Sequence, residues 1–271
     1  MSTCDNPTPS LGLSRFAKLT VGVTFFLIVA GGNVTTKGAG LAVPDWPLSF
    51  NSINPPGWTS NMGGKIPGVR DEHFHRLVGA TVGLLTIALA VWISRVEPRA
   101  WVRRLGWIAL AGVIFQGSLG GLRVILKTQW NMDSAIWFAV VHSCVAEAFF
   151  CLLIALAMIL SPSWPRAARA GDPEKDQAMR FWTAMLVLAV YVQIALGAIF
   201  RHTWQNSMGI VHVFGALVVG AMLMQAAAFT MGRPESDRLG RLTIGLFLLY
   251  GLQIILGIVA YMVVLGMDER N

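Results

Sequence analysis

Residues 71–79, Asp71-Glu72-His73-Phe74-His75-Arg76-Leu77-Val78-Gly79, crowd five ionisable side chains into six positions where an apolar run begins. That run continues to Ile93 without a linker. On a helix Glu72, His75 and Arg76 fall at i, i+3 and i+4 and share one face, while His73 points elsewhere. A carboxylate can take a proton, an imidazole can ligate a metal, and a guanidinium can hold an anion. Groups of this kind at a membrane boundary are costly to place, so they default to a functional reading.

Five histidines occur, and four fall at one end of the apolar runs. His142 lies deeper, about nine residues into its run, or roughly 13 Å at 1.5 Å per residue. Two imidazoles from helices of one bundle, at similar depth, are the usual frame for a haem held on both axial sides. The spacing therefore predicts His75 and His142 as haem-iron ligands, on spans that can be neighbours, with Gly79 and Gly83 leaving room for a flat macrocycle. A lone histidine in a span ordinarily just hydrogen-bonds to a neighbouring helix. Three at outer-leaflet depth, His75, His142 and His212, favour ligation instead. His202, beside Arg201, stays open between a loop contact and pairing with a propionate. Glu147, five positions past His142, reads as a polar contact within the bundle or a neutralised acid, with a proton relay as the alternative.

Other chemistries lack their residues. Zinc would want closely spaced ligands such as His-Glu-x-x-His or Cys-x-x-Cys, and neither occurs. No Walker loop or dinucleotide fingerprint supports ATP or NAD. Cys4, Cys144 and Cys151 make no disulfide framework, and the latter two read as small buried apolar residues. The net charge of +7 does not indicate nucleic acid, because the basic residues sit in short loops that set membrane topology.

The elements that must position these groups are membrane helices. Hydrophobic residues make up 55% of the 271 and charged ones 13%, and mean hydropathy is +0.60. Several apolar runs exceed 18 residues and none alternates, which excludes a soluble core and a β-barrel. The chain reads as an all-α, polytopic membrane bundle with spans near 17–36, 73–93, 103–122, 135–160, 181–200, 209–230 and 241–264. The first is expected to be an uncleaved span rather than a signal peptide. Glycine pairs 31–32 and 120–121 read as packing or turn residues ending their helices.

Lys and Arg set the orientation. Arg15 and Lys18, then Arg95, Arg99, Arg103 and Arg104, then Arg166, Arg169, Lys175 and Arg180, then Arg233, Arg238 and Arg241 share one side, thirteen of the 21. That side is expected in the cytoplasm, with the N-terminus inside and the histidines toward the outer face. The long outer loop 36–71 carries Pro44-Asp45-Trp46-Pro47-Leu48 and Asn54-Pro55-Pro56-Gly57-Trp58. Its prolines and tryptophans suggest a lid.

Gln-x-x-Leu-Gly recurs at Gln116–Gly120, Gln193–Gly197 and Gln253–Gly257. The first and third copies are 137 residues apart, and so are His75 and His212. Two landmarks with one offset indicate a duplicated four-helix unit, divided here as 1–165 and 166–271. The partner of His142 would fall beyond Asn271, so the second unit is expected to lack its eighth helix and that histidine.

Together Glu72-His73-Phe74-His75-Arg76 with Gly79, the two loop motifs, Gly120-Gly121-Leu122-Arg123-Val124 and Val141-His142 resemble the haem A synthase family. The stretches Leu196–Thr203 and Val211-His212 fit less densely. This family assembles cytochrome oxidase by oxidising haem O to haem A. The resemblance implies eight spans in two halves, the first handling the substrate haem and the second holding haem b. It implies that His75 and His142 flank the substrate, Glu72 is the catalytic carboxylate, His212 ligates haem b, and Arg76 pairs with a propionate. It further implies a multi-pass protein of the cell's cytoplasmic membrane. Its partners would be membrane lipid, haem O delivered by a haem O synthase, other oxidase assembly proteins, and a second copy or partner helix. The first outer loop has no cysteine, unlike the pair some members carry there. The alternatives are a non-catalytic haem-binding assembly factor and a haem electron-transfer protein.

Overall fold

The computed structural model describes residues 10–62, 64–162, 164, 173–203, 205–229 and 236–268. Cys4, Arg166, Arg169, Arg233 and the expected boundary at 165–166 lie outside them, as do the side chains of Lys175 and Arg238. The described chain is helical: α1 (Leu11–Thr36), α2 (Val69–Val96), α3 (Ala100–Thr128), α4 (Ala135–Ile159), α5 (Pro173–Thr203), α6 (Asn206–Ala228) and α7 (Ser236–Asp268). A single 3-10 turn, Trp58–Ser60, interrupts the long loop. All seven helices are long and apolar enough to cross a membrane. Large apolar side chains stay exposed along them, including Phe25, Leu84, Ile114, Leu217 and Leu248. In lipid such a surface is the solvated one, and the protein is a multi-pass membrane protein.

The helices outrun the apolar stretches that mark them in sequence. α2 starts at Val69 and α3 runs to Thr128, so charged residues of the first and last turns remain helical. The glycine pairs 31–32 and 120–121 therefore lie inside helices instead of ending them. Ser10 caps α1, its hydroxyl accepting from the Leu13 amide at 3.2 Å. α2 starts from Gly68 at φ 87°, where a Cβ would also stand 2.7 Å from that of Ala39, so the turn needs glycine twice over.

The chain divides into two compact units, Met1–Ala168 and Arg169–Asn271. In the first, α1 packs on α2, α2 on α3, α3 on α4, and α4 back on α1. This closed ring puts α2 and α4 at opposite corners, so the spans bearing His75 and His142 face each other across the bundle and are not neighbours. Loop length alone suggests adjacency for consecutive helices only, and α2 and α4 are not consecutive.

The core cluster fills one half of that ring. It joins Leu13 and Ala17 to Val82, Leu89 and Ile93, Val102 and Ala109, and Phe149, Leu153 and Leu156. All lie toward the end where α1 and α3 begin and α2 and α4 finish. The opposite half carries His75 and His142 with the glycines their rings rest on, Gly31 and Gly120. In the second unit α5 and α6 pack closely and α6 touches α7 sparingly. Tyr250 on α7 donates to the Ala216 carbonyl on α6 at 2.9 Å.

Candidate functional site

His75 lies six residues into α2, His142 seven into α4 and His212 six into α6. Each sits roughly 9–10 Å from its helix start, at 1.5 Å per residue. Each ring also rests on a glycine of the preceding helix. A Cβ would stand 2.9 Å from His75 Cε1 at Gly31, 3.2 Å from His142 Cε1 at Gly120, and 2.8 Å from His212 Cε1 at Gly197. Only a residue without Cβ lets the imidazole lie so flat against the neighbouring backbone.

The Gln-x-x-Leu-Gly motif supplies both halves of this arrangement. Gln116 Nε2 donates to the His142 carbonyl and Gln193 Nε2 to the His212 carbonyl, each at 2.8 Å. The glutamine clamps the backbone of the histidine helix, and the glycine one turn later receives the ring. His142 Nδ1 meets the Gln116 carbonyl at 3.1 Å. A carbonyl only accepts, so Nδ1 carries the proton and Nε2 the lone pair, the tautomer a metal-ligating histidine needs. His75 has the Leu27 backbone beside it, one turn before Gly31. The Nδ1 atoms of His75 and His212 are likewise buried, beside the backbones of Leu27 and Gln193, the place the Gln116 carbonyl takes at His142. On the His75 side of α2, Gly83 faces open space and Gly79 meets only Leu27, at 3.9 Å.

The third copy of the motif is different. Gly257 has nothing within 4 Å and Gln253 is exposed.

Glu72 is the hub of the first unit's loop-side end. It is 4% exposed, and its Oε1 accepts from Arg76 Nη2 at 2.6 Å while Oε2 accepts from the Val43 amide at 2.8 Å. Arg76 then ties down the loop: Nη1 donates to the Asp45 and Leu48 carbonyls at 2.6 and 2.8 Å, and Nη2 to the Val43 carbonyl at 3.1 Å. Both terminal nitrogens are thus engaged by the chain itself. Arg76, expected to pair with a propionate, here spends both terminal nitrogens on the loop and Glu72.

The same loop is held at further points. His73 does turn away from the stripe: its Nδ1 meets Ser49 Oγ at 2.8 Å and Trp58 packs edge-on against its ring. Thr128 at the end of α3 donates to the Pro44 carbonyl at 2.9 Å, and the Trp46 indole lies on Gly121. Asp45 accepts from the Phe50 and Asn51 amides, both at 2.7 Å. At the edge, Lys37 Nζ and Asn33 Nδ2 join α1 to Asp71 at 2.9 and 3.0 Å. The segment is an ordered cap on the ends of α2 and α3.

Arg123, named in the sequence only as part of a motif, belongs to this cluster. Its guanidinium presses on Gly40, where a Cβ would stand 2.7 Å from Nη1, and Glu72 is the charge it faces. A single cation in the apolar body of α3 is the signal that could have found it. Glu147 lies partly buried on α4, with Cys144 and Cys151 beside it and no hydrogen bond or ion pair among the described residues. Arg201 and His202 occupy the last turn of α5.

Comparison with known proteins follows the same residues. A family model described as cytochrome oxidase assembly protein matches residues 71–206, half of the chain. A heme A synthase of Shouchella clausii is 30% identical over 197 residues, 71% of this chain and 60% of that protein. One of Chelativorans sp. is 27% identical across 91% of this chain and 82% of its own length. One of Symbiobacterium thermophilum is 34% identical over 136 residues, 48% of this chain. The chain thus spans less than two thirds of the first of these relatives. No solved structure matches.

Proposed function

The chain belongs to the cytochrome oxidase assembly protein family, and from that premise we propose that it oxidises haem O to haem A in the cytoplasmic membrane. One observation carries the reading: His75 and His142 sit at equal depth on opposite corners of a closed four-helix ring, each seated on a glycine, in the half its core leaves to them. A porphyrin held through its iron by both imidazoles leaves its ring methyls as the reacting groups. Converting a methyl to a formyl group with water as the oxygen source releases four protons and four electrons, and the electrons pass to an external acceptor. Glu72 takes up a proton, buried at the first turn of α2 and three residues from His75. The loop keeps bulk water from the carboxylate.

The residues of the second unit fit haem b. Gly197 forms a seat a Cβ would fill, and the His212 ring lies against it with the Gln193 backbone and side chain beside its two nitrogens. His212 would hold that group, which supplies one-electron redox chemistry when bound. Haem O arrives from a haem O synthase, and the product passes to cytochrome oxidase. The loop-side end of the first unit faces outward and the N-terminus lies in the cytoplasm.

The hydrogen bonds of Glu72 favour a second reading, in which it latches the loop and does no proton transfer. Co-expression with a haem O synthase, followed by pigment extraction, tests both. Wild type is expected to yield haem A and Glu72→Gln, which keeps the shape of the latch, to yield haem O only. Haem A from Glu72→Gln at the wild-type level leaves Glu72 as a latch. A wild-type chain that carries haem yet makes no haem A refutes the synthase reading.

A further inference from the structure

Arg123 is a permanent cation with five donors, and among the described residues none of them makes a hydrogen bond or ion pair. The other charges that point into this end are engaged, while Lys65 and Arg70 are exposed to solvent. Arg76 is spent on three loop carbonyls and Glu72, Lys37 on Asp71, and Lys127 on Asp133 at 2.6 Å. The anion it faces, Glu72, already accepts from Arg76 and from the Val43 amide, so it does not need Arg123. A partly buried guanidinium whose donors make no hydrogen bond, pressed against the backbone at Gly40, is costly unless something else completes it.

Position says what that is. Arg123 lies one turn beyond Gly120, the seat of His142, toward the loop. A group held at the His142 ring and reaching toward the loop would bring its outer edge to this residue. The fork of a guanidinium matches a carboxylate with two parallel hydrogen bonds. We propose that Arg123 is the anchor for a carboxylate side chain of the porphyrin held in the first unit. It fixes which edge of the ring faces the loop, and therefore which ring methyl lies near Glu72. The inference rests on the haem reading above and assigns to Arg123 the contact that the sequence suggested for Arg76. It also gives each residue of Gly120-Gly121-Leu122-Arg123 a place: a seat for His142, a seat for Trp46, an exposed apolar position and a ligand contact.

The test compares ferric protoporphyrin IX with its dimethyl ester, in which both carboxylates are methylated and uncharged. Full-length protein carrying His212→Ala, so that only the first unit binds, is reconstituted in lipid nanodiscs and titrated with each, read by the Soret band. The free acid is expected to bind on the order of tenfold tighter than the ester. Arg123→Gln should abolish that preference while leaving ester affinity unchanged, and Arg123→Lys should retain part of it. Arg76→Gln should keep the preference. The proposal is overturned if Arg123→Gln still discriminates, if it loses the ester as well, or if Arg76→Gln is the variant that stops discriminating. Protein that binds neither porphyrin refutes the haem reading itself, a different outcome from any of these.

Discussion

The two units place a histidine on a glycine in the same way and surround it differently. In the first, His75 and His142 belong to a closed ring whose core cluster occupies one half and whose loop covers the other. In the second, His212 has the same glycine seat and glutamine clamp, yet α7 leaves Gln253 exposed and Gly257 open. The large, fully buried side chains, among them Leu13, Leu89, Ile93, Leu153 and Leu156, all lie in the first unit. A motif of five residues can build the seat for a histidine ring. Burial of that seat is a property of the helices around it.

Filling the seats should break the comparison most visibly. Gly120→Leu and Gly197→Leu would drive a side chain into the histidine ring, and overpacking of this kind costs about 1–3 kcal/mol. Each should lower haem retention about tenfold or more, read as haem per protein after purification. Gly257→Leu, facing open space, should change nothing. A loss as large at Gly257 would mean the third motif is already in use.

Next in size is the buried pair. Removing Glu72 leaves Arg76 charged and unpaired, and breaking a buried ion pair costs about 3–5 kcal/mol. Thermal unfolding of Glu72→Ala should fall by several degrees, with the Trp46 and Trp58 fluorescence of the loop changing first. Unchanged melting would show that the loop does not depend on this pair.

Arg76→Leu should act more locally. With its three loop carbonyls released, cleavage by added protease within 37–68 should rise severalfold, while the α5–α6 connection is cut at the wild-type rate. Equal acceleration at both would make the effect global and remove the anchoring role.

Much of this was legible in the sequence. Apolar runs give seven helices, because a membrane-long stretch without charge has few alternatives. The Gln-x-x-Leu-Gly recurrence marked the seats, though its meaning as clamp plus cradle needed the partner helix. Other features were hidden for stated reasons. Helix periodicity puts Arg76 on the stripe of Glu72 and His75, but it cannot see a loop about thirty residues upstream returning to take its donors. Glycine pairs look like helix ends where apolar character stops, whereas the hydrogen-bonded turns run on through them. The diagonal relation of α2 and α4 depends on ring closure between α1 and α4, a contact with no local signature.

The smallest expected effect lies at the far end of the first unit. Burial pushes the Glu97 carboxyl up, but Arg99, donating at 2.6 and 3.1 Å, holds it below the ordinary range, aided by the Arg103 charge. A carboxyl held low in the folded state stabilises above its unfolded value and loses that contribution as pH falls. Stability should therefore drop modestly below the ordinary glutamate value of about 4.5, and Glu97→Gln should flatten that limb. An unchanged pH profile in the variant would assign the acid limb to another group.

The most direct test of the central claim is the ligand field of haem bound to the first unit. With His212→Ala as background, the account predicts a low-spin, two-imidazole absorption and electron paramagnetic resonance signal. Either His75→Ala or His142→Ala should convert that signal to high spin or abolish it. A low-spin signal that survives both single substitutions unchanged would contradict the claim that these two histidines hold the iron between them.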